Sequence, residues 1–114
     1  MPPEIEKLLF DMRSAALGIR AYIGAKTFAE YLDDPMLRHA VERQFEIIGE
    51  AMTRLRRIDP QAMLRITDAS HIIAFRNRLI HGYDVIDHNA IWTIIRDKLP
   101  QLITELKTIS ADEA

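Results

Sequence analysis

The sequence predicts an all-α protein, an up-and-down bundle of four to five helices in a single domain spanning residues 1–114. Apolar residues recur every three or four positions through most of the chain, which is the spacing of one buried stripe on a helix. No segment alternates apolar and polar residues for long enough to indicate a strand. The short connections between helical segments favour antiparallel packing of neighbouring helices.

The first half of the chain predicts two long helices with a short one between them. The apolar stripe of the first long helix runs over residues 5–23. Thr27 and Glu30 have the spacing of a capping box and predict the short helical turn that follows. Asp34 before Pro35 pairs an N-cap residue with a proline in the first helical position, so the second long helix is expected to begin there.

The second half predicts a motif-bearing helix and a long last helix. Asp59 and Pro60 end the second long helix and can start a brief one, after which Thr67 or Asp68 is expected to cap a helix over residues 69–80. Gly82 stands where a glycine commonly ends a helix. The last helix is expected to start at Asp87, and a kink is expected at Pro100 because proline removes a backbone hydrogen bond.

Composition restricts the class of protein. The 114 residues include no cysteine, which excludes a disulfide framework and thiolate metal sites. The apolar runs are too short for a membrane span, and the N-terminal residues lack an export signal, so a cytoplasmic protein is expected. The net charge of −2 argues against a general nucleic-acid coat protein. Residues 54–78 nevertheless hold six arginines against two aspartates, which predicts a local phosphate-facing patch or simply a solvated helix surface.

The octapeptide Arg-Asn-Arg-Leu-Ile-His-Gly-Tyr at residues 76–83 concentrates the chemically useful side chains. Arginine binds phosphate in a bidentate manner, and histidine exchanges protons near neutral pH. Arg76 and His81 are therefore the candidate catalytic pair for cutting RNA through its own 2′-OH. Asn77 and Arg78 lie four and three residues before His81, so they share its helix face and are candidate supporting residues.

Arg76 and His81 do not share a face of one helix. They are five residues apart, which is about 140° around the helix axis. Either the helix end unwinds near Gly82, or a second copy of the helix supplies the missing partner. The second alternative predicts a twofold homodimer whose cleft is built from both chains and an inactive monomer.

Two glutamates on the second long helix are further candidate supporting residues. Glu46 and Glu50 are four residues apart and therefore adjacent on one face, where Arg43 can neutralise them. Gly49 costs about 1 kcal/mol relative to alanine in a helix, which indicates that another helix approaches closely there. The acids are either solvated at a tight helix crossing or reach across to orient Arg76 or His81.

The remaining histidines give no metal site. His39 is expected on the surface, His71 lies within a helix and His88 lies at a helix start, and the carboxylates near them have the positions of caps or solvent charges. No glycine-rich phosphate loop is present among the four isolated glycines. No metal and no cofactor are predicted.

Together these residues resemble the HEPN superfamily, specifically the HepT-like toxins. The resemblance rests on Arg-x4-His-x-Tyr, here Arg76, His81 and Tyr83 with Asn77 after the arginine, and it extends over two further blocks, residues 40–51 and 92–102. Asp84 directly after the tyrosine departs from the pattern in a minor way.

The resemblance implies a metal-independent ribonuclease that forms a homodimer with the motif helices facing each other. It also implies a toxin–antitoxin pair, in which an MNT-type nucleotidyltransferase antitoxin transfers AMP to the motif tyrosine, Tyr83. Phosphate charge and bulk two residues from His81 would block the cleft.

A function from another class remains open at this stage. The chain would then be a non-catalytic helical partner that binds a nucleotidyltransferase or a nucleotide, a role that the mild net acidity favours slightly.

Overall fold

A computed structural model describes residues 2–82 and 85–113 of the chain. In this part of the chain the secondary structure is helical throughout, with no strand, as predicted. The elements, in chain order, are α1 (Pro3–Ile23), α2 (Phe28–Leu32), α3 (Pro35–Ile58), α4 (Pro60–Met63), α5 (Ala69–His81), α6 (His88–Thr93), a π-helical turn (Ile94–Lys98) and α7 (Leu99–Glu113). None of these helices is both long enough and apolar enough to cross a membrane.

Most predicted helix starts are confirmed by their caps. Thr27 and Glu30 form the reciprocal capping box of α2. Asp34 accepts a hydrogen bond from the backbone N–H of Leu37 at 3.1 Å and opens α3, and Asp87 caps α6 in the same way. These boundaries follow from local chemistry, because each cap lies within three residues of the amide that it satisfies.

The predicted cap of α5 is wrong. Asp68 occupies the N-cap position, but its side chain makes no capping hydrogen bond and its backbone is left-handed, with φ of 60°. Its carboxylate instead accepts a hydrogen bond from Lys98 Nζ at 2.8 Å. A contact with the π-helical turn therefore outweighs the local cap. The helix ends at His81 as predicted, although Gly82 has φ of −115° and not the left-handed conformation.

A π-helical turn, which the sequence did not predict, directly precedes Leu99 and Pro100, the position of the expected kink. The N–H of Leu99 donates to the carbonyl of Ile94, five residues earlier. Proline has no N–H to continue the regular ladder, and a wider turn directly before it accommodates this loss.

A single cluster of apolar side chains forms the core. Helix α1 packs along α3, α7 packs against α1, and α5 packs against α3. The largest fully buried apolar side chains of the long helices include Met12, Ile19, Val41, Ile48, Leu55 and Leu106. Between α3 and α5, the rings of Phe45 and Phe75 meet edge to face with centroids 5.3 Å apart. This contact fixes the motif-bearing helix on α3.

Candidate functional site

Helix α5 is regular and carries four of the predicted site residues: Arg76, Asn77, Arg78 and His81. The helix continues through His81, and the N–H of Gly82 donates to the carbonyl of Arg78 at 2.8 Å. The helix therefore does not unwind before Gly82, and Arg76 and His81 keep their helical separation.

Arg76 lies where α5 touches α3 most closely. A Cβ atom built on Gly49 would be 2.3 Å from both Cβ and Cγ of Arg76. Carbon atoms in contact normally stay 3.5–4.0 Å apart, so only glycine permits this approach. The close helix approach predicted at Gly49 is confirmed, and the group that approaches is the side-chain stem of Arg76.

Polar contacts hold the guanidinium of Arg76 at two of its nitrogens. Nη2 donates to Glu50 Oε2 at 2.7 Å, and Nη1 donates to the side-chain oxygen of Asn77 at 2.9 Å. The Arg76 side chain is 21% exposed and that of Glu50 is 44% exposed. Nε of Arg76 is buried and has no hydrogen-bond partner among the described residues. Helix packing, an ion pair and an amide thus restrict the guanidinium to one position.

The two glutamates on α3 have different partners. Glu50 reaches across to Arg76 and also accepts from Arg54 Nε at 3.1 Å. Glu46 pairs with Arg43 on its own helix at 3.3 Å. An acid therefore does reach from α3 to Arg76, and among the described residues that acid is Glu50.

His81 is exposed at the C-terminal end of α5. Its side chain forms no hydrogen bond or ion pair with any other described residue. Arg78 and Asn77 are exposed as well. This face of α5 presents an imidazole, a guanidinium and an amide to the outside of the monomer.

Arg76 lines a groove of about 340 Å³ between α1, α3 and α5. Three arginines and three carboxylates line the groove: Arg43, Arg54, Arg76, Asp11, Glu46 and Glu50. Of the six arginines in the predicted phosphate-facing patch, only Arg54 and Arg76 line this groove, together with acids, and His81 lies outside it.

Tyr83, the predicted modification site, lies outside the described residues. The sequence predicted that His39, His71 and His88 form no metal site. Among the residues that the structure describes, no group of three or more His, Asp and Glu side chains could hold a metal ion.

A polar recess that the sequence did not predict lies beside the groove. It has a volume of about 500 Å³ and is lined by Arg38, His39, Glu42, Glu46, Leu79, Ile86 and His88. The hydroxyl of the fully buried Tyr31 lies 3.2 Å from Nδ1 of His88, 57 residues away in sequence. The i, i+4 spacing of Glu42, Glu46 and Glu50 indicates one ridge on α3, but nothing local connects that ridge to His88 or Tyr31.

Burial shifts two pKa values next to this recess. Removal from water raises the pKa of the Tyr31 hydroxyl, and the charge of Glu42 raises it further. Burial also raises the pKa of Glu42, against the opposite effect of His39, His88 and Arg38. The phenol therefore keeps its proton at neutral pH and can donate it to Nδ1 of a neutral His88.

Comparison with known proteins places the chain among RNase relatives. The "Putative RNase MJ1380" of Methanocaldococcus jannaschii is 27% identical over 106 residues, covering 93% of this chain and 96% of that protein. The "Putative RNase MJ0127" of the same organism is 30% identical over 112 residues, covering 96% and 89%. The "Probable ribonuclease HepT" of Thermococcus cleftensis is 29% identical over 98 residues, covering 82% and 84%.

No solved structure matches the chain. The family model described as "Ribonuclease HepT-like" matches residues 12–109. This match includes all of α3 with Glu50, all of α5 with Arg76 and His81, and most of α7. The chain belongs to the ribonuclease HepT-like family.

Proposed function

We propose that the chain is a metal-independent endoribonuclease, in which Arg76 binds the scissile phosphate and His81 moves the protons. The 2′-oxygen attacks phosphorus, the bond to the 5′-oxygen breaks, and the products carry a 2′,3′-cyclic phosphate and a 5′-hydroxyl. The imidazole accepts the 2′-OH proton and protonates the leaving 5′-oxygen. The observation that carries the proposal is the fixed guanidinium of Arg76 on the helix that ends in the exposed His81.

The catalytic cleft is proposed to form between two chains. Five residues along a helix correspond to a rise of about 7.5 Å and a rotation of about 140°, so one α5 directs Arg76 and His81 to different sides. In a twofold dimer with the two α5 helices facing each other, His81 of one protomer lies beside Arg76 of its partner. Each protomer would supply one half of each site.

Glu50 is proposed as a positioning residue. Its ion pair with Arg76 orients the guanidinium before RNA binds, which reduces the ordering cost at the reaction step. The same carboxylate competes with phosphate for the guanidinium. Because Arg54 also pairs with Glu50, part of the negative charge of Glu50 is already neutralised. Nη1 of Arg76 contacts only the uncharged side-chain oxygen of Asn77.

The cellular role follows from the family and stays part of the proposal. The enzyme would act in the cytoplasm as the toxin of a toxin–antitoxin pair, with RNA as its substrate. A nucleotidyltransferase antitoxin would switch it off by transferring AMP to Tyr83. The added phosphate charge would lie two residues from His81 and would compete for the arginines of α5.

RNA cleavage by purified variants tests the proposal. Arg76→Ala and His81→Ala are expected to lower the cleavage rate at least a hundredfold, in EDTA as well as without it. The matched controls are Arg20→Ala and His71→Ala, which remove exposed side chains of the same kinds elsewhere. Equal cleavage by all five proteins, or loss of cleavage by the parent in EDTA, would refute the assignment.

Two observations favour a second function. The guanidinium of Arg76 already has a carboxylate partner, and the chain carries a net charge of −2, both of which weaken phosphate binding. In this alternative, the chain is a non-catalytic partner of a nucleotidyltransferase or a nucleotide. Tight binding to the nucleotidyltransferase by a parent protein that cuts no RNA would support it.

A further inference from the structure

We propose that the recess between α3 and α6 binds a guanine base of the RNA near the cut. This inference deepens the proposed ribonuclease function and rests on it for its biological meaning, although base binding is measurable without any cleavage.

One wall of the recess provides a hydrogen-bond donor in a fixed orientation. Tyr31 Oη lies 3.2 Å from His88 Nδ1 and has no other partner among the described residues. With the phenol as the donor, Nδ1 of a neutral His88 accepts and Nε2 carries the ring proton, and this is the tautomer that the proposal requires. His88 therefore offers an N–H donor to the recess.

The recess also provides an acceptor without a hydrogen-bond partner among the described residues. Glu42 is half-buried, lines the recess and forms no hydrogen bond with any other residue of the described segments. Leaving a carboxylate partly desolvated and unpaired is costly. A ligand with two adjacent N–H donors would satisfy both of its oxygens.

The two carboxylates of the recess disfavour a phosphate as the main occupant, against the attraction of Arg38. Glu42 and Glu46 both line the recess and repel an anion, whereas Arg38 already donates to the backbone carbonyl of Leu32. A neutral nucleobase meets no such repulsion. Guanine fits the donor and acceptor pattern, because its N1–H and N2–H₂ can donate to the Glu42 carboxylate while O6 or N7 accepts from His88.

The recess is within reach of a strand held at Arg76. Glu46 lines both the recess and the Arg76 groove. Glu42 and Glu50 are eight residues apart on α3, about 12 Å along the axis. This corresponds to about three stacked nucleotides at 3.4 Å each, and to fewer when the strand is extended. A phosphate at Arg76 and a base in the recess can therefore belong to one strand.

Nucleotide binding tests the recess independently of catalysis. NMR titrations with guanosine, inosine, adenosine and cytidine 5′-monophosphates are compared, because the shared phosphate cancels any contribution from the arginines. The guanosine nucleotide is expected to bind at least tenfold more tightly than the adenosine and cytidine nucleotides. The inosine nucleotide, which lacks the N2 amine, should be intermediate.

Glu42→Gln is expected to abolish this preference, and Glu6→Gln serves as the matched carboxylate-to-amide control on an exposed part of α1. Equal affinities for all four nucleotides, or a guanosine preference that survives in Glu42→Gln, would overturn the proposal. Unchanged helical circular dichroism of Glu42→Gln excludes unfolding as the cause.

Mapping the cleavage sites separates the two proposals. If the parent cuts RNA, guanosine should occupy one fixed position relative to the cut, and this bias should disappear in Glu42→Gln. RNA cleavage without any base bias would overturn the guanine site and leave the ribonuclease standing. Selective guanosine binding by a protein that cuts no RNA would overturn the ribonuclease and leave the base site standing.

Discussion

Gly49→Ala tests the helix contact that positions Arg76. The new Cβ would lie 2.3 Å from Cβ and Cγ of Arg76 and 3.1 Å from Cδ. Normal contact needs 3.5–4.0 Å between carbons, so α3 and α5 must separate by roughly 1.2–1.7 Å. The atoms that would have to move are bonded to, or one bond removed from, the backbone of α5. A change of side-chain rotamer cannot relieve the contact with Cβ.

The magnitude follows from two opposing effects. Overpacking in a helix interface costs typically about 1–3 kcal/mol, and the fixed position of the Arg76 stem favours the upper end. Alanine in place of glycine returns about 1 kcal/mol in helix propensity. The expected net loss in the free energy of unfolding is about 2 kcal/mol, or a fall in Tm of about 8 °C for a domain of this size.

Urea denaturation followed by circular dichroism measures this loss. Gly18→Ala is the matched control, because its added Cβ would meet only the flexible Tyr22 side chain at an ordinary 3.6 Å. That variant should be more stable than the parent by up to about 1 kcal/mol. If Gly49→Ala were as stable as Gly18→Ala, the close approach of α3 and Arg76 would be refuted.

Three further variants test the site and its surroundings. Glu50→Gln should lower the kcat of RNA cleavage about tenfold with a smaller change in KM, because an interaction that orients Arg76 is lost; a change in KM alone would contradict the positioning role. Tyr31→Phe should cost about 1 kcal/mol in urea denaturation, since it leaves His88 Nδ1 without its partner, and unchanged stability would contradict the hydrogen bond. Burial raises the pKa of Glu42, so its contribution to stability is fully present at low pH and is lost as pH rises through the folded-state pKa. Glu42→Gln should therefore be more stable than the parent at pH 7 and equal to it near pH 3, and a parent that gains relative to the variant with rising pH would reverse the assigned shift.

Local chemistry explains which parts of the fold are predictable. The caps at Thr27, Asp34 and Asp87 act within three residues, and the apolar stripes follow directly from helical periodicity. The missing capping hydrogen bond of Asp68 was not predictable, because its carboxylate binds Lys98, 30 residues away. There the distant cation outweighs a nearby amide. The sequence indicated a close helix contact at Gly49, but only the packing of α5 identified Arg76 as the contact.

The candidate site likewise contains residues that the sequence predicts and contacts that only the fold reveals. Arg76 and His81 were identified from residue chemistry and the family resemblance, and their helical offset from elementary geometry. The choice of Glu50 rather than Glu46 as the partner of Arg76 depends on the crossing of α3 and α5, which no local pattern specifies. The recess at His88 depends on a hydrogen bond across 57 residues, so it required the three-dimensional structure.

If Arg76 and His81 act together across two protomers, variants that each lack one of the two side chains should complement each other. Arg76→Ala and His81→Ala proteins, each inactive alone, are mixed one to one, allowed to exchange subunits and assayed for RNA cleavage in EDTA. With random exchange, half of the dimers are mixed, and each mixed dimer has one intact composite site of two, so about a quarter of the parent activity should return. An exchanged mixture as inactive as either variant alone would contradict a site shared between chains.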